Sequence, residues 1–102
     1  MFVCRLGNDC FAAKRFTEAI QHYDEAIKLD ASNATLYSNK SACYASLGQW
    51  EEALREAKIC LSKDNNFIKA YGRLATAEAE LGRYDDAIST LRSALTKDPG
   101  DR

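Results

Sequence analysis

Apolar and small side chains return along this chain every three or four positions, the period of a helix with one buried face. Tyr37, Ser41, Tyr44 and Ala45 form one such stripe, and Ala53, Leu54, Ala57, Cys60 and Leu61 form the next. Gly48 and Gly82 interrupt the pattern where a turn needs a residue that reaches positive φ at little cost. Ser32-Asn33 and Asn65-Asn66 place cap-competent side chains ahead of the following stripes. Pro99-Gly100 ends the last one. The pattern predicts six helices, over about 3–14, 17–29, 34–46, 50–62, 68–80 and 84–96. No strand is predicted.

The stripes themselves repeat. Ala19, Ala53 and Ala87 lie 34 residues apart, each behind an acidic residue: Glu18, Glu52 and Asp86. The same step links the aromatics Phe16, Trp50 and Tyr84, and the small residues Gly7, Ser41 and Ala75. It also links Ala26, Cys60 and Ala94, then Ile20, Leu54 and Ile88, then Ile27, Leu61 and Leu95, and finally Asp30, Asp64 and Asp98. Each unit is a pair of helices. Small residues on both members let the two axes approach closely, and the aromatic at the start of the second helix fills the opening.

A 34-residue helix–turn–helix unit of this kind resembles the tetratricopeptide repeat. The pieces that carry the resemblance are Leu6-Gly7, Ala19, Tyr23, Ala26, Tyr44 and, in the third copy, Pro99. It implies an all-α fold: three repeats, about 1–33, 34–67 and 68–101, stacked as a right-handed superhelix with the first helices lining its concave side. Each repeat then completes its core on the next. Ile20 and Ile27 are expected to pack on the second repeat, and Leu54 and Leu61 on the third. Ile88 and Leu95 have no following repeat, and the family's usual C-terminal capping helix is absent. The chain is accordingly expected to be an excised fragment, with a covering second chain as the alternative.

Composition narrows the function. At 102 residues the chain makes one domain, 1–102, and its 46% hydrophobic and 28% charged content is that of a globular protein. Fourteen Lys and Arg against fifteen Asp and Glu leave a net charge of −1, so no global field draws it to nucleic acid or a membrane. No apolar run approaches the roughly 20 residues needed to span a bilayer, and no secretory signal is visible at Met1-Phe2-Val3-Cys4-Arg5. Cys4, Cys10, Cys43 and Cys60 lack zinc-ligand spacing, and the single histidine, His22, has no paired ligand. Counting leaves two disulfides open. The expectation is reduced thiols in a cytoplasmic or nuclear compartment, with Cys10, Cys43 and Cys60 acting as small buried hydrophobes. His22 is read as a surface residue. With no nucleophile–base pair, metal set or phosphate loop, the chain is expected to be no enzyme and to need no cofactor.

The candidate chemistry lies on the first helices. Lys69 and Arg73 are four residues apart and project from one helix face. Asn39 holds the Arg73 position one repeat earlier, and Asn8 follows Cys4 by four on the first helix. Two cations beside two amides can hold carboxylates through charge-assisted hydrogen bonds. Gly7-Asn8, Leu36-Tyr37-Ser38-Asn39-Lys40-Ser41 and Lys69-Ala70-Tyr71-Gly72-Arg73 resemble the carboxylate-clamp members of the family, the co-chaperones of the Hop and small-glutamine-rich types. The resemblance implies an adaptor that binds the C-terminal Glu-Glu-Val-Asp of heat-shock protein 70 and 90 chaperones. Asn8 and Asn39 would hold the terminal carboxylate; Lys69 and Arg73 would hold the last aspartate side chain and nearby backbone oxygens.

One clamp position departs from the family, which has a lysine where this chain has Cys4. Arg5, one residue later and rotated by about 100°, is the candidate substitute. A native helix start upstream of Met1 is a further expectation. Ala42, Ala45, Ala70 and Phe11 are the candidates for a small apolar pocket beside the clamp, while Tyr37 and Tyr71 are read as packing and Lys14-Arg15 as a solvated turn. Two other readings stay open at this level: the targeting module of a larger phosphatase, prolyl isomerase or ubiquitin ligase, and a scaffold with a degraded clamp that self-associates through Ile88 and Leu95.

Overall fold

The computed structural model describes residues 2–97, with side chains from Gly7 onward. Its elements are α1 (Phe2–Ala12), α2 (Phe16–Leu29), α3 (Ala34–Ser46), α4 (Trp50–Lys63), α5 (Ile68–Glu80) and α6 (Tyr84–Lys97). All six predicted helices are present, and no strand occurs among the described residues. They pack as pairs α1–α2, α3–α4 and α5–α6. Neighbouring pairs join through α2–α3 and α4–α5, and α3 also touches α5. Pro99-Gly100, read as the terminator of α6, lies outside the described residues.

The turn inside each pair is built the same way. Lys14, Gly48 and Gly82 take φ of 63°, 77° and 80°. The residue after each donates its N–H to a carbonyl five residues back: Arg15 to Cys10, Gln49 to Tyr44 and Arg83 to Glu78, at 2.7–2.9 Å. These are Schellman caps, which need a left-handed residue just past the helix. Helix α1 therefore stops at Ala12, two residues short of the sequence expectation, because Lys14 is spent on the cap. Lys14 and Arg15 are exposed, as expected of a solvated turn.

The caps at the helix starts differ from one another. The Thr35 N–H donates to Asn33 Oδ1 at 3.1 Å, so Asn33 caps α3 as expected. Neither Asn65 nor Asn66 caps α5, whose N-cap position is taken by Phe67. Asp64 Oδ1 instead accepts from the Asn66 N–H at 3.0 Å, and the Asn65 carbonyl accepts from the Tyr71 hydroxyl at 2.8 Å. Tyr37 makes the matching bond to the Ala31 carbonyl. Both tyrosines thus tie a first helix to the loop before it, which bears out their reading as packing residues.

The small residues do the predicted work. Ala19, Ala53 and Ala87 are buried, as are Ser41 and Ala75. A Cβ on Gly7 would stand 2.7–2.8 Å from the Tyr23 ring, so only glycine admits that ring against α1. Phe16 stacks edge-on with Phe11 at 5.4 Å, and Trp50 packs on the Leu54–Leu74 cluster together with Leu81. Tyr84 does not fill its opening and is 65% exposed. Trp50 shares its cluster with Leu74 and Leu81 of the following first-helix region, whereas no described helix lies beyond α6 to serve Tyr84 in the same way. For the same reason Ile88, Leu91 and Leu95 are exposed within the described residues. Cys10, Cys43 and Cys60 are buried free thiols, as expected. His22 is not a surface residue: it is half-buried, and its Nδ1 is sheltered without a hydrogen-bond partner among the described residues.

Candidate functional site

Helices α1, α3 and α5 bring the predicted polar residues together. Asn8, Asn39 and Arg73 line one hollow of about 240 Å³, with Phe11, Ala12 and Tyr23. Lys69 and Arg73 line a second of about 350 Å³, with Ala42, Ala45, Gly72 and Thr76. Arg73 is the wall the two share. A 34-residue period puts Asn39 and Arg73 at one height on adjacent first helices, which is why residues 34 apart in sequence meet in space.

Within the first hollow the amides are already oriented. Asn8 Oδ1 accepts from the Tyr23 hydroxyl at 2.5 Å and from Asn39 Nδ2 at 3.3 Å. With its oxygen occupied, Asn8 turns its Nδ2 to donate elsewhere. Arg73 donates through Nε to Ser38 Oγ at 3.0 Å, which leaves both terminal nitrogens of its guanidinium for an anion. Lys69 is exposed. The ion pairs among the described residues use Arg15, Lys40 and Arg83, never Lys69 or Arg73. Two cations therefore face a groove with no carboxylate to neutralise them.

Two buried thiols, Cys43 and Cys60, lie within reach of the Arg73 charge. Burial pushes the Cys43 and Cys60 thiols up to about 11, with the Arg73 charge opposing the shift in each. Of the predicted pocket residues, Phe11, Ala42 and Ala45 line the hollows. Ala70 does not: it is fully buried against Ala34, Tyr37 and Cys60, because one step from Lys69 turns the side chain about 100° away from the groove. Cys4 and Arg5 lie on the α1 backbone, and their side chains fall outside the described residues.

Five lining or supporting residues were missed by sequence reasoning: Ala12, Tyr23, Ser38, Gly72 and Thr76. Thr76 holds the repeat position of Asn8 and Ala42, a signal that was readable. Gly72 and Ser38 share another repeat position, next to Arg73 and Asn39 respectively. Tyr23 was read only as packing, and nothing local marks its hydroxyl as an orienting group. A third hollow of about 400 Å³ runs along α4 between Glu51 and Ser62 and contains none of the predicted residues. No group of His, Cys, Asp and Glu able to hold a metal exists among the described residues, and no described helix is long and apolar enough to cross a membrane.

Comparison with known proteins matches the same architecture. A TPR-repeat family model covers residues 7–40 and a tetratricopeptide-repeat model covers residues 68–102. The chain is 43% identical over 67 residues to the Hsp70-Hsp90 organizing protein of Triticum aestivum, spanning 66% of this chain but 12% of that protein. Among solved structures, the TPR domain of Arabidopsis OM64 superposes with a TM-score of 0.91 at 34% identity, over 99% of this chain and 84% of that one. The TPR2B domain of yeast Sti1, solved in complex with an Hsp70 peptide, superposes at 0.89 and 38% identity, over 93% and 77%.

Proposed function

The chain belongs to the tetratricopeptide repeat family, and on that premise we propose that it is a co-chaperone adaptor domain, 1–102, that captures the acidic C-terminus of heat-shock protein 70 or 90 in the cytoplasm. It acts by binding alone and has no chemistry of its own. Asn8 and Asn39 donate to the terminal α-carboxylate. Lys69 and Arg73 take the side-chain carboxylate of the last aspartate, with Arg73 reaching both groups from the shared wall. Arg5 adds a cation at the α1 end where Cys4 replaces the family's lysine. The penultimate valine seats against Ala42 and Ala45.

One observation carries this reading: two amides and two cations without an acidic partner among the described residues, drawn from three successive helix pairs, border two hollows that meet at Arg73. A C-terminal aspartate presents two carboxylates, and this groove presents the two amides on one side of Arg73 and Lys69 on the other. Each charge-assisted bond contributes about 1.5–3 kcal/mol when partly desolvated. The donors stand on rigid helices, so most of the ordering cost falls on the peptide.

The test is a calorimetric titration with a pentapeptide ending in Glu-Val-Asp, as the free acid and as the C-terminal amide. The acid is expected to bind and the amide to bind at least about tenfold more weakly. Equal affinity for the two forms would remove the clamp.

A further inference from the structure

We infer that Tyr23 and Ser38, neither of which belongs to the clamp, are positioning residues that aim Asn8 and Arg73 before a ligand arrives. The inference rests on the clamp reading and adds to it a second tier of residues. Both side chains are nearly closed to solvent, each 1% exposed. Each spends its polar group on a clamp residue. The Tyr23 hydroxyl donates to Asn8 Oδ1, and Ser38 Oγ accepts from Arg73 Nε.

The consequence is directional. An asparagine amide can present either its oxygen or its nitrogen to a groove, and only the nitrogen side attracts a carboxylate. Tyr23 and Asn39 together occupy the oxygen, so the donor end of Asn8 is the one left over. A free arginine side chain samples many rotamers and loses that freedom on binding. The Ser38 bond at Nε removes part of the loss in advance and keeps the two terminal nitrogens available as a fork.

These pairs are not general devices of the repeat. The repeat positions of Tyr23 hold Ala57 and Leu91, and those of Asn8 hold Ala42 and Thr76. The equivalent of the Ser38–Arg73 pair one repeat earlier is Cys4–Asn39. The hydroxyls occur only behind the two side chains that need orienting. Gly7 belongs to the same arrangement, since the Tyr23 ring reaches Asn8 by lying where any Cβ on residue 7 would stand.

The experiment uses Tyr23→Phe, Ser38→Ala and Ser38→Thr, each titrated with the acid and the amide of a pentapeptide ending in Glu-Val-Asp. Tyr23→Phe and Ser38→Ala are expected to weaken acid binding about fivefold to tenfold while leaving amide binding within twofold, so the acid-to-amide ratio falls. Ser38→Thr, which keeps the acceptor oxygen, is expected to restore the ratio. Loss of acid and amide binding by the same factor, or an unchanged ratio in both variants, would make these residues structural only and overturn the inference. The wild-type ratio separates the two layers, because a wild type that ignores amidation refutes the clamp itself. A peptide-free readout stands beside it: the Arg73 Nε–H resonance is expected to be protected from exchange in the wild type and exposed in Ser38→Ala. Equal exchange in both proteins would also overturn the inference.

Discussion

The Lys40 ammonium lies 2.6 Å from Asp24 Oδ1 and ties α3 to α2 across the boundary between the first two repeats. The same nitrogen stands 3.5 Å from Glu56 Oε2 on α4, so one cation serves two acids on flanking helices. Burial alone would lower the Lys40 pKa, but the Asp24 hydrogen bond and the Glu56 charge outweigh it and the net direction is upward. Burial raises the Glu56 carboxyl, with Lys40 opposing.

Lys40→Met is therefore expected to strand a nearly buried carboxylate. Asp24 is half-exposed and its share is screened, so the loss comes mainly from Glu56 and amounts to about 2 kcal/mol. Adding Glu56→Gln should recover most of it. Urea melts of the single and double variants measure both, and an unchanged midpoint for Lys40→Met would contradict the account.

Gly7 and Gly72 make an internal contrast. Gly7→Ala drives a methyl to within 3 Å of the Tyr23 ring, which is expected to cost about 1–3 kcal/mol through overpacking. Gly72→Ala meets no atom within 4 Å and replaces a poor helix former, so it is expected to stabilise α5 by up to about 1 kcal/mol. Thermal melts with opposite shifts confirm the pair; shifts of the same sign refute it.

Alkali should unfold this chain through its buried thiols. Cys43 and Cys60 ionise near 11 when folded, against the usual 9 of a free thiol. Their folded values are raised, so their contribution is complete below pH 9 and is lost as the pH climbs from 9 through 11. Cys43→Ala is expected to flatten the fall in melting temperature over that window. At pH 8 both thiols should alkylate about a hundredfold more slowly than a free cysteine, as read by peptide mass mapping. Rates equal to a free thiol would contradict the burial.

Lys69 is exposed, and its charge acts through water. Lys69→Ala is expected to reduce acid-peptide affinity about fivefold at low salt and to make binding less salt-dependent. Titrations at low and high ionic strength check this. An unchanged salt slope would take Lys69 out of the clamp.

The helices and the repeat were legible because each unit meets the same packing demand and answers it with the same residue sizes at the same step. Ala19, Ala53 and Ala87 all seat against a first helix, and the chain states this three times. The nearness of Asn39 and Arg73 was legible for the same reason, since a 34-residue step converts them into neighbours. Where the repeat runs out, the reading failed. Tyr84 was expected to fill an opening that has no helix on its far side among the described residues. Ala70 was placed in the groove although one residue of helical rotation turns it into the core.

What the chain alone determined is the set of helices and which of them carry Asn8, Asn39, Lys69 and Arg73, because helical period and repeat period are properties of order along the sequence. Tertiary structure decided how those donors are aimed. Asn8 turns its nitrogen outward because Tyr23 and Asn39, 15 and 31 residues away, claim its oxygen. Arg73 holds its fork because Ser38 on the preceding repeat takes Nε. Hydrogen bonds between residues that distant depend on where the helices finally pack, and no local pattern encodes that direction.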